Sequence, residues 1–393
     1  ADRYDDNSTG HETRYYDDRG DNETRGRAEI DESDYDEPDD PEAEAHGARP
    51  RDWGSRWLPL PGGGYNPDAG FFFDLGAQRT GWGFRQWPFA NRLTVQAGMS
   101  TSPAKARLAF RLELPIGGTP IRNESQLQYR GARFLNYYGL GNETSDEGPQ
   151  ERFQAVRSLL DGWSRFIVGA PQGLEFHLGP RYRRSRPRPL DGSLLAEEEP
   201  YGFETFHQLS VQGGFTWNRH RPGDPPPTGL SAVAGAEWVP PILDVETRYW
   251  MLRGEVTAHL NSDELPLRPT LLLQAGGSHR IGDYPYHDAA YVGGAASLRG
   301  FREQRFGGDS AVRFGTELRL AITDVLLLFP GELGILGLAD VGRVFLDGED
   351  SDRWHQGYGG GVWASWLDNY TISVSIARGE GNTLWYVTAG LPF

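Results

Sequence analysis

The chain contains 393 residues, of which 37% are hydrophobic and 52 are glycine, and its mean hydropathy is −0.59. This is a small supply of apolar residues for the roughly two or three soluble domains that such a length could otherwise form. The absence of cysteine excludes a disulfide framework and a thiolate metal site. A net charge of −16 argues against nucleic-acid binding, which needs a basic surface.

Catalytic motifs are absent from the sequence. It contains no His-Glu-x-x-His zinc pair, no Gly-x-Ser-x-Gly elbow and no phosphate-binding loop. We therefore expect no enzymatic activity, no metal and no cofactor.

The acidic charge is concentrated in residues 1–50. They hold 18 Asp and Glu against 6 Arg, a net charge of −12, which leaves −4 of the total −16 for residues 51–393. Few aliphatic side chains and no periodicity occur in this segment, so it cannot bury enough apolar surface to order itself. We predict a disordered acidic tail that serves as a solubilising linker; a calcium-collecting or partner-binding arm is the alternative. Residues 51–69, with Pro59, Pro61 and a triple glycine, are predicted to form an irregular lead-in.

From residue 70 onward the sequence repeatedly alternates apolar and polar residues. In Ala104–Ile116 one row is wholly apolar, and the other row carries four charges. A period of two places successive side chains on opposite faces of a β-strand. Fifteen segments of this kind occur. Because single-chain bacterial barrels usually have an even number of strands, we predict about 16 and expect one long candidate, such as 151–168, to be misassigned.

These strands have the length and pattern of a membrane barrel. No stretch approaches about 18 uninterrupted apolar residues, and the richest run, Val325–Phe329, ends at Pro330, so no transmembrane helix is predicted. In a closed barrel, neighbouring strands satisfy each other's backbone hydrogen bonds, and apolar side chains need only form an outer belt. We therefore predict an all-β fold, a transmembrane antiparallel β-barrel over residues 70–393, surrounded by the lipid of the outer membrane of a Gram-negative-type bacterium. A soluble sandwich is the alternative for any one strand taken alone.

The last ten residues form the clearest strand of this type. An apolar row alternates with a mixed row and ends on an aromatic residue. About ten tilted residues are enough for one β-strand to cross a bilayer. We predict that this segment closes the barrel, with four side chains as its lipid-facing signal: Trp385, Val387, Leu391 and Phe393.

A glycine-rich connection between residues 279 and 312 carries the most specific motif of the chain. Together with segments elsewhere in the chain, this motif forms an ordered series. The series is Gly139–Asn142 (Gly-Leu-Gly-Asn), Leu298–Phe301 (Leu-Arg-Gly-Phe), the strand around Glu317, Asp340–Gly342 (Asp-x-Gly) and the terminal Phe393. This pattern resembles the BamA/TamA-type outer-membrane assembly superfamily, the bacterial surface-antigen barrels. The resemblance covers residues 65–393.

The resemblance implies that the Leu-Arg-Gly-Phe loop folds back into the barrel, where Arg299 would meet Glu317 and Asp340 on the wall. The alternation of its strand independently places Glu317 on the polar, lumen-facing side. A planar guanidinium suits a carboxylate well, and a solvated loop charge is the alternative interpretation of Arg299. Gly300 would permit a sharp turn, and Phe301, like Leu298 part of the loop motif, would wedge against the wall.

The resemblance also implies a function. The family inserts or exports proteins at the outer membrane, in several members by opening a seam between the first and last strands, where an exposed edge can pair with a client hairpin. The partner would be a β-barrel client or a secreted protein, and the seam would join about Gly70–Gln78 to Leu384–Phe393. Residues 1–64 show no pattern of the family's POTRA receptor repeats, so we expect a barrel that lacks them or borrows them from a periplasmic partner protein. The alternative function is a non-assembly pore, or a membrane anchor for a periplasmic partner or enzyme.

Overall fold

The computed structural model of the chain divides into two units, Ala1–Pro50 and Arg51–Phe393. It describes residues 53–393 except 68–69, 85, 102–103, 118, 221–227, 263, 327–329, 367–369 and 390–393, and four pieces of the first unit. Those pieces pair as two parallel two-stranded sheets and comprise Asp2–Asp6, Arg14–Tyr16, Asn22–Gly26 and Glu29–Asp31. The rest of the tail lies outside the described residues, and its disorder stays a prediction.

Sixteen antiparallel strands of the second unit form one closed barrel, as predicted. In chain order they are β1 (Ser55–Asn66), β2 (Gly70–Gly83), β3 (Gln86–Thr101), β4 (Ala104–Pro115), β5 (Ile121–Asn136), β6 (Gln154–Ala170), β7 (Leu174–Pro189), β8 (Phe206–His220), β9 (Gly229–Val239), β10 (Tyr249–Asn261), β11 (Thr270–Ile281), β12 (Ser310–Leu326), β13 (Pro330–Phe345), β14 (His355–Trp366), β15 (Tyr370–Gly379) and β16 (Asn382–Ala389). Each strand pairs with the next in the chain, and β16 returns to β1. Closure lets backbone groups find partners within the sheet, which the interior of a bilayer requires.

The two faces of the barrel are the reverse of those of a soluble protein. On β4, Leu108, Phe110 and Leu112 are 37 to 47% exposed, whereas Glu113 on the opposite face is 8% exposed. The apolar row therefore points outward and the polar row points into the lumen. This arrangement suits a barrel in lipid, where the outer surface contacts hydrocarbon.

The first strand lies in the stretch that was predicted to be an irregular lead-in. That prediction is wrong, because β1 occupies Ser55–Asn66 and pairs with β2 along its whole length. The barrel thus begins at Ser55 and not at residue 70. Pro59 and Pro61 hide the strand pattern, since proline is common in connections. The long candidate at 151–168 is one strand, β6, preceded by the 3-10 turn Gln150–Phe153.

The connections differ between the two ends of the barrel. The connections of nine or more residues all follow odd-numbered strands, and they are residues 137–153, 190–205, 240–248, 282–309 and 346–354. In barrels of this kind the longer loops are extracellular and the shorter turns are periplasmic. We therefore assign the long-loop end to the cell exterior.

Helical structure is confined to the connections in the described part of the chain. The α-helix α1 (Leu194–Glu198) lies between β7 and β8, and two further 3-10 turns are Pro171–Gly173 and Tyr286–Asp288. Among the described residues, no helix has the length and apolar character needed to cross a bilayer.

Candidate functional site

The loop between β11 and β12, residues 282–309, folds against the inner wall and is called the lumen loop below. A short ribbon, Ala290–Val292 paired with Phe306–Gly308, supports its tip. The predicted motif residues Leu298 and Phe301 are both buried there. They belong to one apolar cluster whose members are at most 5% exposed: Ala290, Val292, Leu298, Phe301, Phe306, Ala311 and Val344.

Two carboxylates of the wall anchor Arg299 at the tip of the lumen loop. Its Nε and one terminal nitrogen each donate to an oxygen of Asp340 on β13, both at 2.7 Å. The other terminal nitrogen bonds to Glu317 on β12. All three residues are at most 5% exposed. The structure thus brings together the three residues that the sequence assigned to one site.

A fourth residue balances the charge of this group. Arg319 on β12 donates to the second oxygen of Glu317 at 2.7 Å, so two guanidinium groups meet two carboxylates. Burial alone would lower the pKa of Arg299, but the hydrogen bond and the attraction of Asp340, together with Glu317, raise this pKa above its ordinary value. Removal of one member would leave a buried charge unpaired, which is costly. The group therefore acts as a clamp that holds the loop in one position.

The residues after the arginine fit closely against the last two strands. Gly300 has a φ of +97°, and a Cβ at this position would lie 2.7 Å from the backbone nitrogen of Gly379 on β15, so only glycine fits. The Gly300 amide donates a hydrogen bond of 3.0 Å to the hydroxyl of Tyr386 on β16. Sequence reasoning missed this contact, although the alternation that turns Trp385 outward also turns Tyr386 into the lumen.

The lumen loop also contacts the first strand's side of the barrel. Arg302 donates from a terminal nitrogen to the backbone carbonyl of Pro67 at 3.1 Å, and Pro67 directly follows β1. Since Tyr386 lies on β16, the loop residues 300–302 touch both margins of the junction where the barrel closes.

The closing junction between β1 and β16, called the seam below, is described only in part, because residues 390–393 after β16 lie outside the described residues. Among the described residues, Tyr65 of β1 faces Val387 of β16. Because β1 ends at Asn66, the first half of β16 continues past it. The predicted partner of the closing strand, residues 70–78, is therefore wrong, since β1 lies between β2 and β16.

Two prolines remove hydrogen-bond donors from the seam. The carbonyl oxygen of Val387 lies 2.8 Å from the point that a Cβ of Gly64 would occupy, so this carbonyl points at β1 beside Tyr65. The N–H and C=O groups of one residue point to the same neighbouring strand, and the side alternates along the chain. Pro59 and Pro61 are an even number of residues from Tyr65, so they turn toward the seam, where neither can donate.

A second loop, residues 137–153 between β5 and β6, crosses to the opposite wall. Its Asn142 is fully buried and donates to the hydroxyl of Ser351 and the carbonyl of Arg353, both at 2.9 Å. The Asn142 side-chain oxygen accepts from the amide of Val344 at 3.0 Å. The Gly-Leu-Gly-Asn resemblance marked this segment but gave no indication of these partners.

His355 at the start of β14 joins the two loops. One of its ring nitrogens is 3.0 Å from the carbonyl oxygen of Asn142, and its ring stacks on Phe306 of the lumen loop with centroids 3.6 Å apart. His355 is completely buried. The two loops and the wall from β12 to β16 therefore form one packed assembly at the long-loop end.

The predicted closing-strand residues divide into two groups. Trp385 is 57% exposed on the outer face, and Val387 is half-buried at the seam. Leu391 and Phe393 lie outside the described residues, so their lipid contact stays a prediction.

These features define an outer-membrane β-barrel whose lumen holds an anchored loop. Residues 181–366 match the Omp85 superfamily domain. This match covers just under half of the chain, and the predicted resemblance to BamA-type barrels is confirmed. Barrels of this superfamily are outer-membrane proteins of Gram-negative bacteria, which agrees with the predicted localisation.

Solved structures show the same fold. BamA from Haemophilus ducreyi lacking POTRA domains 1–3 is 12% identical, with a TM-score of 0.60 over 85% of this chain and 70% of that chain. CdiB from Escherichia coli is 14% identical, with a TM-score of 0.58 over 87% and 64%. CdiB from Acinetobacter baumannii is 11% identical, with a TM-score of 0.55 over 86% and 59%. The chain thus spans less than two thirds of either CdiB chain, and no curated protein matches it in sequence.

Proposed function

We propose that this barrel inserts β-barrel proteins into the outer membrane, or translocates secreted proteins across it, by opening the seam. The observation that carries the proposal is the start of β16, because residues 382–385 of this strand extend past the end of β1 at Asn66. Pro59 and Pro61 offer no N–H donor on the side of β1 that faces away from β2.

The part of β16 that extends past β1 is where a client strand would pair. Residues 382–385 of this strand have no facing residue in β1, because β1 ends at Asn66. A strand edge of this kind is a template for a further strand, which adds by backbone hydrogen bonds. The outward position of Trp385 places the edge next to lipid, where a newly paired hairpin would have to emerge.

The lumen loop supports a seam that moves. Through Gly300 it contacts Tyr386 on β16, and through Arg302 it contacts Pro67 after β1. Separation of the two strands would therefore break at least one contact of the loop. A permanently open pore, the alternative function, does not require contacts between a loop and both margins of a seam.

The partners in this proposal are a β-barrel client or a secreted protein, and a periplasmic protein that supplies receptor domains. The proposal contains no catalytic step and needs no metal or cofactor.

A disulfide across the seam tests the proposal. Because the chain has no cysteine, Tyr65→Cys combined with Val387→Cys introduces the only two thiols, on facing residues. Liposomes containing the wild-type barrel should accelerate membrane insertion of a urea-unfolded eight-stranded outer-membrane barrel. The oxidised variant should insert it no faster than empty liposomes, and reduction should restore the rate.

The matched control is a cysteine pair across a fully laddered junction, Phe110→Cys with Leu127→Cys between β4 and β5. Oxidation of this pair should leave insertion unchanged. Equal client yield from the locked and the reduced seam would contradict the proposal. A steady single-channel conductance that is insensitive to the seam disulfide would favour the pore instead.

A further inference from the structure

A polar cavity of about 260 Å³ lies in the lumen away from the Arg299 clamp. It is bounded by the wall strands β7 to β11 and by the lumen loop. Its charged lining is dominated by cations, and comprises Arg181, Arg183, Arg253, Arg280, Glu237 and Asp288.

Two of these arginines are neutralised by carboxylates. Arg181 pairs with Asp161 at 2.8 Å and with Glu237 at 3.1 Å. Arg183 pairs with Glu237 at 2.9 Å and with Asp288 at 2.7 Å. These five groups form one connected network, so none of its members needs a further counter-ion.

The other two arginines have no carboxylate partner among the described residues. Arg280 donates to backbone carbonyls, including those of Leu252 and Ala289. Arg253 has neither a hydrogen bond nor an ion pair in the described part of the chain. With four guanidinium groups against the three carboxylates that contact them, the cavity keeps an uncompensated positive charge.

Between His177 and Arg253 the inner wall carries two glycines, Gly214 and Gly235, which are called the glycine floor below. His177, Gly214, Gly235 and Arg253 stand in register on the four strands β7 to β10. A Cβ on Gly214 would lie 3.0 Å from the His177 ring, and a Cβ on Gly235 would lie 3.6 Å from Nε of Arg253. The two side chains therefore lean over a glycine floor from opposite sides, and the glycines leave room between them.

Two buried polar side chains that line the cavity have no partner among the described residues. Gln212 is 7% exposed, and its amide nitrogen makes no hydrogen bond. His177 is 9% exposed and likewise has no hydrogen-bond partner there. A buried donor without an acceptor is costly to the fold, so a donor of this kind in a cavity indicates a group that it binds.

We propose that this cavity binds a small oxyanion of the phosphate type. The fork of Arg253 suits two oxygens of such an anion, and the Gln212 amide supplies a donor to a third. Because these donors and His177 approach from three different strands, they suit a tetrahedral anion better than a planar carboxylate. The strand wall separates the cavity from the hydrocarbon, so the ligand is a free anion from the aqueous lumen and not a lipid headgroup. This inference does not depend on the proposed role of the seam.

Titration of the purified full chain in detergent with inorganic phosphate, followed by calorimetry, tests the proposal. We expect saturable binding that sulfate competes for and acetate competes for less. Arg253→Gln should weaken phosphate binding about tenfold or more, because it removes a charge-assisted hydrogen bond. Arg253→Lys, which keeps the charge but not the fork, should retain part of the affinity, and Gln212→Leu should weaken binding less than Arg253→Gln.

Arg107→Gln is the matched control, because Arg107 is also a lumen arginine but is paired with Asp74 at 2.6 Å on another part of the wall. It should bind phosphate like the wild type. Heat-modifiable migration on gels confirms that each variant is folded. Absence of saturable binding, equal affinity of the wild type and Arg253→Gln, an equal loss in Arg107→Gln, or a preference for acetate would each overturn the proposal.

Discussion

The backbone amide of Gly300 donates a hydrogen bond of 3.0 Å to the hydroxyl of Tyr386, and this contact ties the lumen loop to the strand that closes the barrel. On its other side the loop is held by Arg299, which bridges β12 and β13. The loop thus spans the wall from β12 to β16. Because the seam lies directly beyond β16, we expect the position of the loop and the state of the seam to depend on each other.

Tyr386→Phe should release the tip of the lumen loop. The change leaves the buried Gly300 amide without its acceptor, so we expect the free energy of unfolding to fall by about 1–3 kcal/mol. Hydrogen exchange of residues 298–302 should become faster, and urea unfolding measures the stability. Tyr358→Phe is the control, because Tyr358 is 61% exposed on the outer face and should change neither quantity. Unchanged exchange in Tyr386→Phe would show that the hydroxyl does not hold the loop.

Arg299→Ala should be strongly destabilising. It leaves the buried carboxylate of Asp340 without a cation, while Glu317 keeps Arg319, and we expect a loss of about 3–5 kcal/mol in urea unfolding. Arg299→Lys should recover only part of this loss, because an ammonium group cannot make the bidentate contact.

Removal of both charges provides the control for the arginine clamp. Arg299→Met combined with Asp340→Leu leaves no unpaired charge, so this double variant should be more stable than Arg299→Ala. A double variant that is less stable than the single one would mean that the clamp acts through packing and not through charge.

Asn142→Asp should loosen the loop of residues 137–153. A carboxylate cannot donate to Ser351 or to the carbonyl of Arg353, so we expect a loss of at least about 1–3 kcal/mol. Limited proteolysis should cut this loop sooner than in the wild type, because local opening exposes it to the protease. Glu151→Gln, at an exposed position in the same loop, should leave the cleavage rate unchanged. Equal rates in wild type and Asn142→Asp would argue against a role of Asn142 in docking the loop.

Acid should weaken the lumen loop through Asp288. Burial alone would raise the pKa of Asp288, but Arg183, His287 and Gln208 hold this pKa well below its ordinary value. A carboxyl group with a lower pKa in the folded state stabilises the fold fully above its unfolded pKa, and this stabilisation is lost as the pH falls toward the folded pKa. The free energy of unfolding should therefore decline below about pH 4.

The pH profile of Asp288→Asn isolates this contribution. The variant should be less stable than the wild type near neutral pH, and urea unfolding should show a smaller loss of its stability on acidification. Parallel profiles for the two proteins would assign the acid sensitivity to other groups.

Pro59→Ala with Pro61→Ala should tighten the seam. The substitutions add two N–H donors to the edge of β1 that faces β16, and each new hydrogen bond contributes about 0.5–1.5 kcal/mol. We expect slower insertion of a client barrel in the liposome assay. Pro115→Ala, at the end of β4, is the control and should leave the rate unchanged; faster insertion by the double variant would contradict the role assigned to the prolines.

Much of the architecture could be predicted from the sequence, because the period of two is a local property of each strand. It identified the outward and inward rows, and it turned Glu317 into the lumen before any contact was known. The family resemblance then assigned Arg299 to Glu317 and Asp340. The period of two failed to reveal β1, because Pro59, Pro61 and the adjacent glycines replace the apolar and polar side chains that would make an alternation visible.

Apart from β1, what the sequence by itself determined is therefore where the strands lie and which face of the barrel each of their residues takes. Only the tertiary structure decided which distant residues meet: Tyr65 with Val387 at the seam, Gly300 with Tyr386, and the glycine floor between His177 and Arg253. These contacts depend on the stagger of the sixteen strands and on the register in which β16 pairs with β1. That stagger is a property of the whole barrel, set by all its junctions together, and no local segment of the chain contains it.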